Sequence, residues 1–162
     1  NKSGKYLKDV SDWMRLCFRC HREYDHREVG IKRAANLIAQ SHYCESLILV
    51  AGNGGSLSMS DHFAGELVGA FEKPRDPIAI ISLSNYAIIS AIGNDFGYEY
   101  VFSRQVEAYG QRDGLFICLT TSDVDEEGGH SLNLWKALGV CRNKKKMKTI
   151  VIGSNKTIRM KK

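Results

Sequence analysis

Proline is scarce in this chain, two residues in 162, and both, Pro74 and Pro77, fall in one short stretch. Elsewhere no proline interrupts a helical or strand-like pattern. No apolar run approaches the ~18 residues needed to cross a bilayer, so a soluble protein with no membrane partner is expected. Neither G-x-G-x-x-G nor G-x-x-x-x-G-K-[ST] occurs, which removes the dinucleotide and P-loop readings of the glycines. The five cysteines (Cys17, Cys20, Cys44, Cys118, Cys141) are an odd, scattered set that suits a reducing, cytoplasmic compartment. Cys17-Phe18-Arg19-Cys20-His21 spells the C-x-x-C-H haem-attachment string. It falls inside an amphipathic pattern, however, and haem attachment would need export and an axial partner. Zinc at Cys17 and Cys20 lacks the second C-x-x-C that would complete four ligands. Net charge is a modest +5, densest at Arg142-Asn143-Lys144-Lys145-Lys146-Met147-Lys148, where cations suit a helix end. No aromatics interleave with that run, so no nucleic-acid partner is expected. The chain opens on Asn1 rather than Met, so the lack of a leader carries no weight. Internal repeats and low-complexity linkers are also missing, and one domain over residues 1–162 follows.

What is present centres on Leu47–Gly69, LILVAGNGGSLSMSDHFAGELVG. Leu47-Ile48-Leu49-Val50 reads as a buried strand, and it stops at the turn Gly52-Asn53-Gly54-Gly55. Ser56 then offers a helix cap, and residues 57–71 keep helical spacing with Phe63, Leu67 and Phe71 on one stripe. A strand, a glycine turn and a helix N-terminus in succession form an anion site: glycines admit the ligand and free N–H groups meet it. His62 and Glu66 sit four apart on the same helix, beside Ser58, Gly65 and Gly69. Such a pair is often only a solvated helix pair. Next to a phosphate cradle, it outlines a sugar-phosphate site.

Along the rest of the chain, residues 6–24 and 25–42 read as helices, giving an N-terminal helical part over 1–45. A long amphipathic first helix packs either on its own domain or on a partner subunit. The core over 46–153 alternates strand and helix: a strand at 78–82, a helix at 85–92 ending at Gly93-Asn94-Asp95, and a helix at 101–109. A strand at 115–119, a helix at 132–143 and a strand at 149–152 follow. This alternation predicts a doubly wound parallel sheet with helices on both faces, a flavodoxin-like three-layer sandwich. Thr120-Thr121-Ser122 crowns the strand at 115–119, a second place where hydroxyls meet a strand end.

GNGGS at Gly52–Ser56, HFAGELVG at His62–Gly69, AIGNDFGYEYVFSRQVEAYG at Ala91–Gly110 and TTS at Thr120–Ser122 resemble the phosphoheptose isomerases of the sugar isomerase (SIS) domain family. The likeness runs from about Ile31 to Gly153. It implies conversion of sedoheptulose 7-phosphate into D-glycero-D-manno-heptose 7-phosphate, early in heptose supply for lipopolysaccharide or capsule. It also implies a cytoplasmic homotetramer or dimer with sites between subunits, and zinc as cofactor. By position, Asn53, Gly54 and Gly55 resemble substrate contacts, and Asn94 and Asp95 line the sugar. Ser56, Thr120, Thr121, Ser122 and Ser131 resemble the phosphate-binding set. His62 resembles a zinc ligand, and Glu66 both a ligand and the catalytic base. Aldose–ketose exchange needs such a base to move a proton between C1 and C2.

Three departures stand out. The family's T-S-G-N-S loop is longer here by six residues, carries Asp123, Asp125, Glu126 and Glu127, and is expected to be mobile for want of an apolar anchor. Ala70 replaces a usual Arg. The family's further strand and helix, with a Gln and a His resembling the remaining zinc ligands and second acid/base, are absent from this sequence, so weak zinc binding and low activity are expected. The alternative is a weakly catalytic sugar-phosphate-binding or assembly module, regulatory or engaging a replication initiator.

Overall fold

The computed structural model describes residues 26–122, 124 and 130–153. The expected helix at 6–24 and the C-x-x-C-H string lie outside them, as do Asp123 and residues 125–129 of the enlarged loop.

Four strands form one parallel sheet: β1 (Ile48–Gly52), β2 (Ile80–Ser82), β3 (Leu115–Leu119) and β4 (Lys148–Ile152), in the order β2-β1-β3-β4. All five residues of β1 and of β3 are buried, which is why each reads as a continuous apolar run rather than an alternating one. Alternation instead divides their side chains between two cores. Ile48, Val50, Leu115 and Ile117 pack against Ala34, Ala35 and Ile38 of α1 (His26–Tyr43) and Phe63 and Leu67 of α2 (Gly55–Val68). Leu49, Ala51, Phe116 and Cys118 pack on the opposite face against Val106 of α4 (Ser103–Tyr109) and Leu134 and Ala137 of α5 (Leu132–Val140). The doubly wound, three-layer expectation therefore holds, and β1 is a central strand.

Several boundaries differ from the sequence reading, each for a local reason. The strand β1 runs on through Gly52, and α2 starts at Gly55 with Gly54 as its cap, φ +51°. Ser56 is thus inside the helix and does not cap it. Only a glycine takes that left-handed turn without strain. Helix α3 (Tyr86–Phe96) is capped by Asn85, whose Oδ1 accepts the Ile88 N–H at 3.1 Å, and runs through Gly93, Asn94 and Asp95 instead of ending there. A 3₁₀ turn, Tyr98–Tyr100, separates it from α4. Below α5 the last turn widens into a π turn, Cys141–Lys145, closed by Lys146 at φ +54°. Val124 is only 7% exposed and joins the second core, so the enlarged loop does have an apolar anchor. The acidic composition hid it: one valine among charged residues gives no periodic signal.

Candidate functional site

The order β2-β1-β3 reverses the winding direction between β1 and β3, and that switch point leaves a crevice beyond the strand ends. In register, Gly52 ends opposite Leu119, so the segments that follow, Asn53–Ser56 and Thr120–Ser122, leave the sheet side by side. The structure thus brings together the two hydroxyl- and glycine-rich turns that lie far apart in sequence.

The first turn is tightly built. A Cβ on Gly52 would lie 2.6 Å from Ser56 Cβ and 2.7 Å from the Ser56 carbonyl, so the strand end and first helical turn touch. Within the turn, Ser56 N–H donates to Asn53 O, and the N–H groups of Leu57 and Ser58 donate to Gly54 O. The N–H groups of Gly54 and Gly55 stand outside this set, and no side chain caps the helix. With no acidic residue in its first turn, α2 presents uncompensated N–H groups and a positive dipole end to the crevice.

The second turn divides its hydroxyls. Thr120 is buried, and its Oγ1 donates to Ser122 O (3.0 Å) while accepting the Ser122 N–H (3.1 Å). Its hydroxyl proton is therefore committed to shaping the turn, while Thr121 and Ser122 are exposed. Ser131, 2% exposed, sits at the start of α5, whose N-terminus is the second helix end at this crevice.

Asn53 joins the two sides. Its Nδ2 donates to Asn133 Oδ1 at 3.0 Å, and Asn133 Nδ2 donates back to Asn53 Oδ1 at 2.8 Å. The Tyr98 hydroxyl donates to the same Asn53 oxygen over a longer 3.4 Å. Sequence reasoning missed Asn133 and Tyr98. Asn133 carries no motif signal of its own, and only the fold brings it to a residue 80 positions away.

His62 and Glu66 emerge together on α2, as their spacing predicts, with His62 Nε2 3.8 Å from Glu66 Oε1. The His62 side chain is 59% exposed and that of Glu66 27%. Gly65 beside them would let a Cβ meet nothing within 4 Å, so the face is open. Arg75 secures the helix end by donating to the carbonyls of Glu66 and Leu67, which places a guanidinium at the end of the helix whose following segment carries Ala70. Glu66 is eleven residues beyond Gly55, however, roughly 16 Å along the axis. The carboxylate and the phosphate-type turn of one chain are therefore not neighbours. Asn94 and Asp95 are exposed on the last turn of α3, where Asn94 Nδ2 donates to Asp95 Oδ1 at 2.8 Å. No contact ties them to the turns among the described residues.

His62 and Glu66 could approach one cation, but two donors do not make a zinc site, which takes three or four. Among the described residues no three His, Cys, Asp or Glu side chains cluster for a metal. The described residues by themselves do not fit zinc. Cys118 and Cys141 are far from such a role. Burial drives both thiols up to about 12, so neither is a thiolate at neutral pH.

An open parallel α/β sheet with two helix N-termini and a hydroxyl turn at its switch point defines a doubly wound α/β domain. The chain belongs to the SIS domain family, whose profile matches residues 14–154. The phosphoheptose isomerase of Buchnera aphidicola (subsp. Acyrthosiphon pisum, strain Tuc7) is 40% identical over 132 residues, covering 82% of this chain and 65% of the relative. That of Helicobacter hepaticus is 42% identical over 125 residues, 76% of this chain and 59% of the relative. A solved phosphoheptose isomerase from Francisella tularensis superposes with a TM-score of 0.70 at 30% identity, covering 80% of this chain and 65% of that one. The chain thus spans 65% or less of the length of these relatives. No helix among the described residues is long and apolar enough to cross a membrane.

Proposed function

We propose that the chain serves a sugar-phosphate isomerase that interconverts sedoheptulose 7-phosphate and D-glycero-D-manno-heptose 7-phosphate, in the cytoplasm, for lipopolysaccharide or capsule. The observation that carries this reading is the paired turn at the β1/β3 switch point. Backbone N–H groups of Gly54 and Gly55, two helix N-termini and the hydroxyls of Ser56, Thr121, Ser122 and Ser131 suit a phosphate there. Thr120 shapes that cradle and Asn53 faces the sugar from it, while the sugar-lining role of Asn94 and Asp95 rests on the family resemblance alone. The name of the relatives supplies the reaction.

Isomerisation from the ketose removes a proton from C1, passes through an enediol and returns a proton at C2, while a second proton moves from O1 to O2. Glu66 is the base for the carbon-bound proton. The ~16 Å between Gly55 and Glu66 on one helix means that the turn of one copy works with Glu66 of another. Assembly as a homotetramer or dimer supplies that arrangement. Helix α3 supports it: the helix is largely apolar yet has no buried residue, with Tyr86 84% and Phe96 50% exposed. Zinc at His62 and Glu66 remains part of the proposal only with a further donor from beyond the described residues.

The same separation favours a second reading, a module that binds sugar phosphate without turning it over if the copies do not meet. Incubation with sedoheptulose 7-phosphate, followed by NMR of the sugar, decides between them. Turnover that Glu66→Gln abolishes, with the melting temperature unchanged, is expected. Binding without turnover selects the module. Near-native turnover by Glu66→Gln removes Glu66 as the base.

A further inference from the structure

The reciprocal amide pair at the crevice has an orientation that can be worked out. The Leu134 N–H donates to Asn133 Oδ1 at 2.9 Å, and a backbone N–H can only donate. The Asn133 atom facing it is therefore the oxygen. That oxygen also meets Asn53, so the Asn53 atom facing it is Nδ2, and Asn53 Oδ1 faces Asn133 Nδ2.

A carboxamide has two N–H donors and an oxygen with two acceptor sites. The Asn53 oxygen accepts from Asn133 Nδ2 at 2.8 Å, and the Tyr98 hydroxyl stands over its other acceptor site at a longer 3.4 Å. One donor is spent on Asn133 Oδ1. A single N–H is left. Asn133 is 3% exposed, so it does not compete for solvent, whereas Asn53 is half-buried at the crevice.

We propose that Asn133 is a positioning residue that holds Asn53 as a one-proton donor to an oxygen of the bound sugar phosphate. Asn133 also braces the glycine turn after β1 against the start of α5, so one side chain sets the spacing of both halves of the cradle. This rests on the isomerase reading of the site. It deepens that reading by specifying what Asn53 recognises: an oxygen that accepts a hydrogen bond, such as a carbonyl, hydroxyl or phosphate oxygen, and not a donor.

The test uses the full chain and sedoheptulose 7-phosphate. In the wild type, the ligand shifts one of the two Asn53 side-chain amide protons by NMR, and the proton bonded to Asn133 stays in place. Asn133→Ala loses about ten- to a hundredfold in kcat/KM, the effect of a substrate-facing group no longer held in place. The double variant Asn53→Ala, Asn133→Ala is no worse than Asn53→Ala alone, because Asn133 acts through Asn53. Additive losses, or an Asn133→Ala enzyme with wild-type kcat/KM, overturn the assignment while leaving the isomerase reading intact. If Asn133→Ala does not fold, the wild-type spectrum decides: equal shifts of both Asn53 protons, or of neither with ligand bound, overturn it. A wild type that neither binds nor turns over the sugar overturns the isomerase reading itself, and the assignment with it.

Discussion

Gly52→Ala is the sharpest test of the packing that builds the turn. The added Cβ would sit 2.6 Å from Ser56 Cβ and 2.7 Å from the Ser56 carbonyl carbon and oxygen, against an ordinary contact of 3.4 Å or more. The strand end and the first turn of α2 must part by roughly 0.7–0.8 Å, and two of the three atoms are backbone, which cannot swing away. Such overpacking costs about 1–3 kcal/mol. At ~2–4 °C per kcal/mol for a chain of this size, the melting temperature falls by about 2–12 °C. The displaced group is Ser56, on the proposed phosphate site. A misplacement approaching 1 Å costs up to ~10² in turnover. The comparison is Gly55→Ala, three residues on, where a Cβ meets nothing within 4 Å and φ is not left-handed. Thermal melts and isomerase assays on both variants check the reasoning. A Gly52→Ala protein that melts and turns over like Gly55→Ala would refute it.

Other outcomes follow from the same structure. With two donors on α2 and no third among the described residues, the chain should retain little zinc through dialysis; one equivalent found by elemental analysis would reveal a donor elsewhere. The buried thiols predict alkaline sensitivity. Cys118 and Cys141 keep their protons up to about 12, whereas in the unfolded chain they release them near pH 9. Stability from these groups is therefore complete below pH 9 and is lost as pH rises from 9 towards 12. Urea midpoints across that range should fall less steeply for Cys118→Ala than for the wild type, and parallel curves would contradict this.

The amount of this molecule that was legible in sequence differs from element to element. Leu47–Val50 and 115–119 announced buried strands because both their faces are covered by helices, so every residue is apolar. The glycine turn was legible because Gly52 and Gly54 answer local demands, a close approach and a left-handed φ. The boundary after it was not. Ser56 has the chemistry of a cap, yet the glycine before it turns the chain earlier. Asn94 and Asp95 were read as lying past the helix because Gly93 suggested a stop, whereas the helix runs on through Phe96.

Among the described residues, the sequence by itself determined which stretches are strands and helices, apart from their ends, that the strands at 48–52 and 115–119 are buried, and that His62 and Glu66 share one face. These depend on spacings of two to four residues, which the backbone geometry of a single element enforces. Only the tertiary structure decided that β1 lies between β2 and β3, that Thr120–Ser122 stands beside Gly52–Ser56, and that Asn53 and Asn133 pair across 80 residues. Strand order and long-range amide pairing come from how whole elements pack. A local pattern of apolar and polar residues is the same whichever neighbours those elements find.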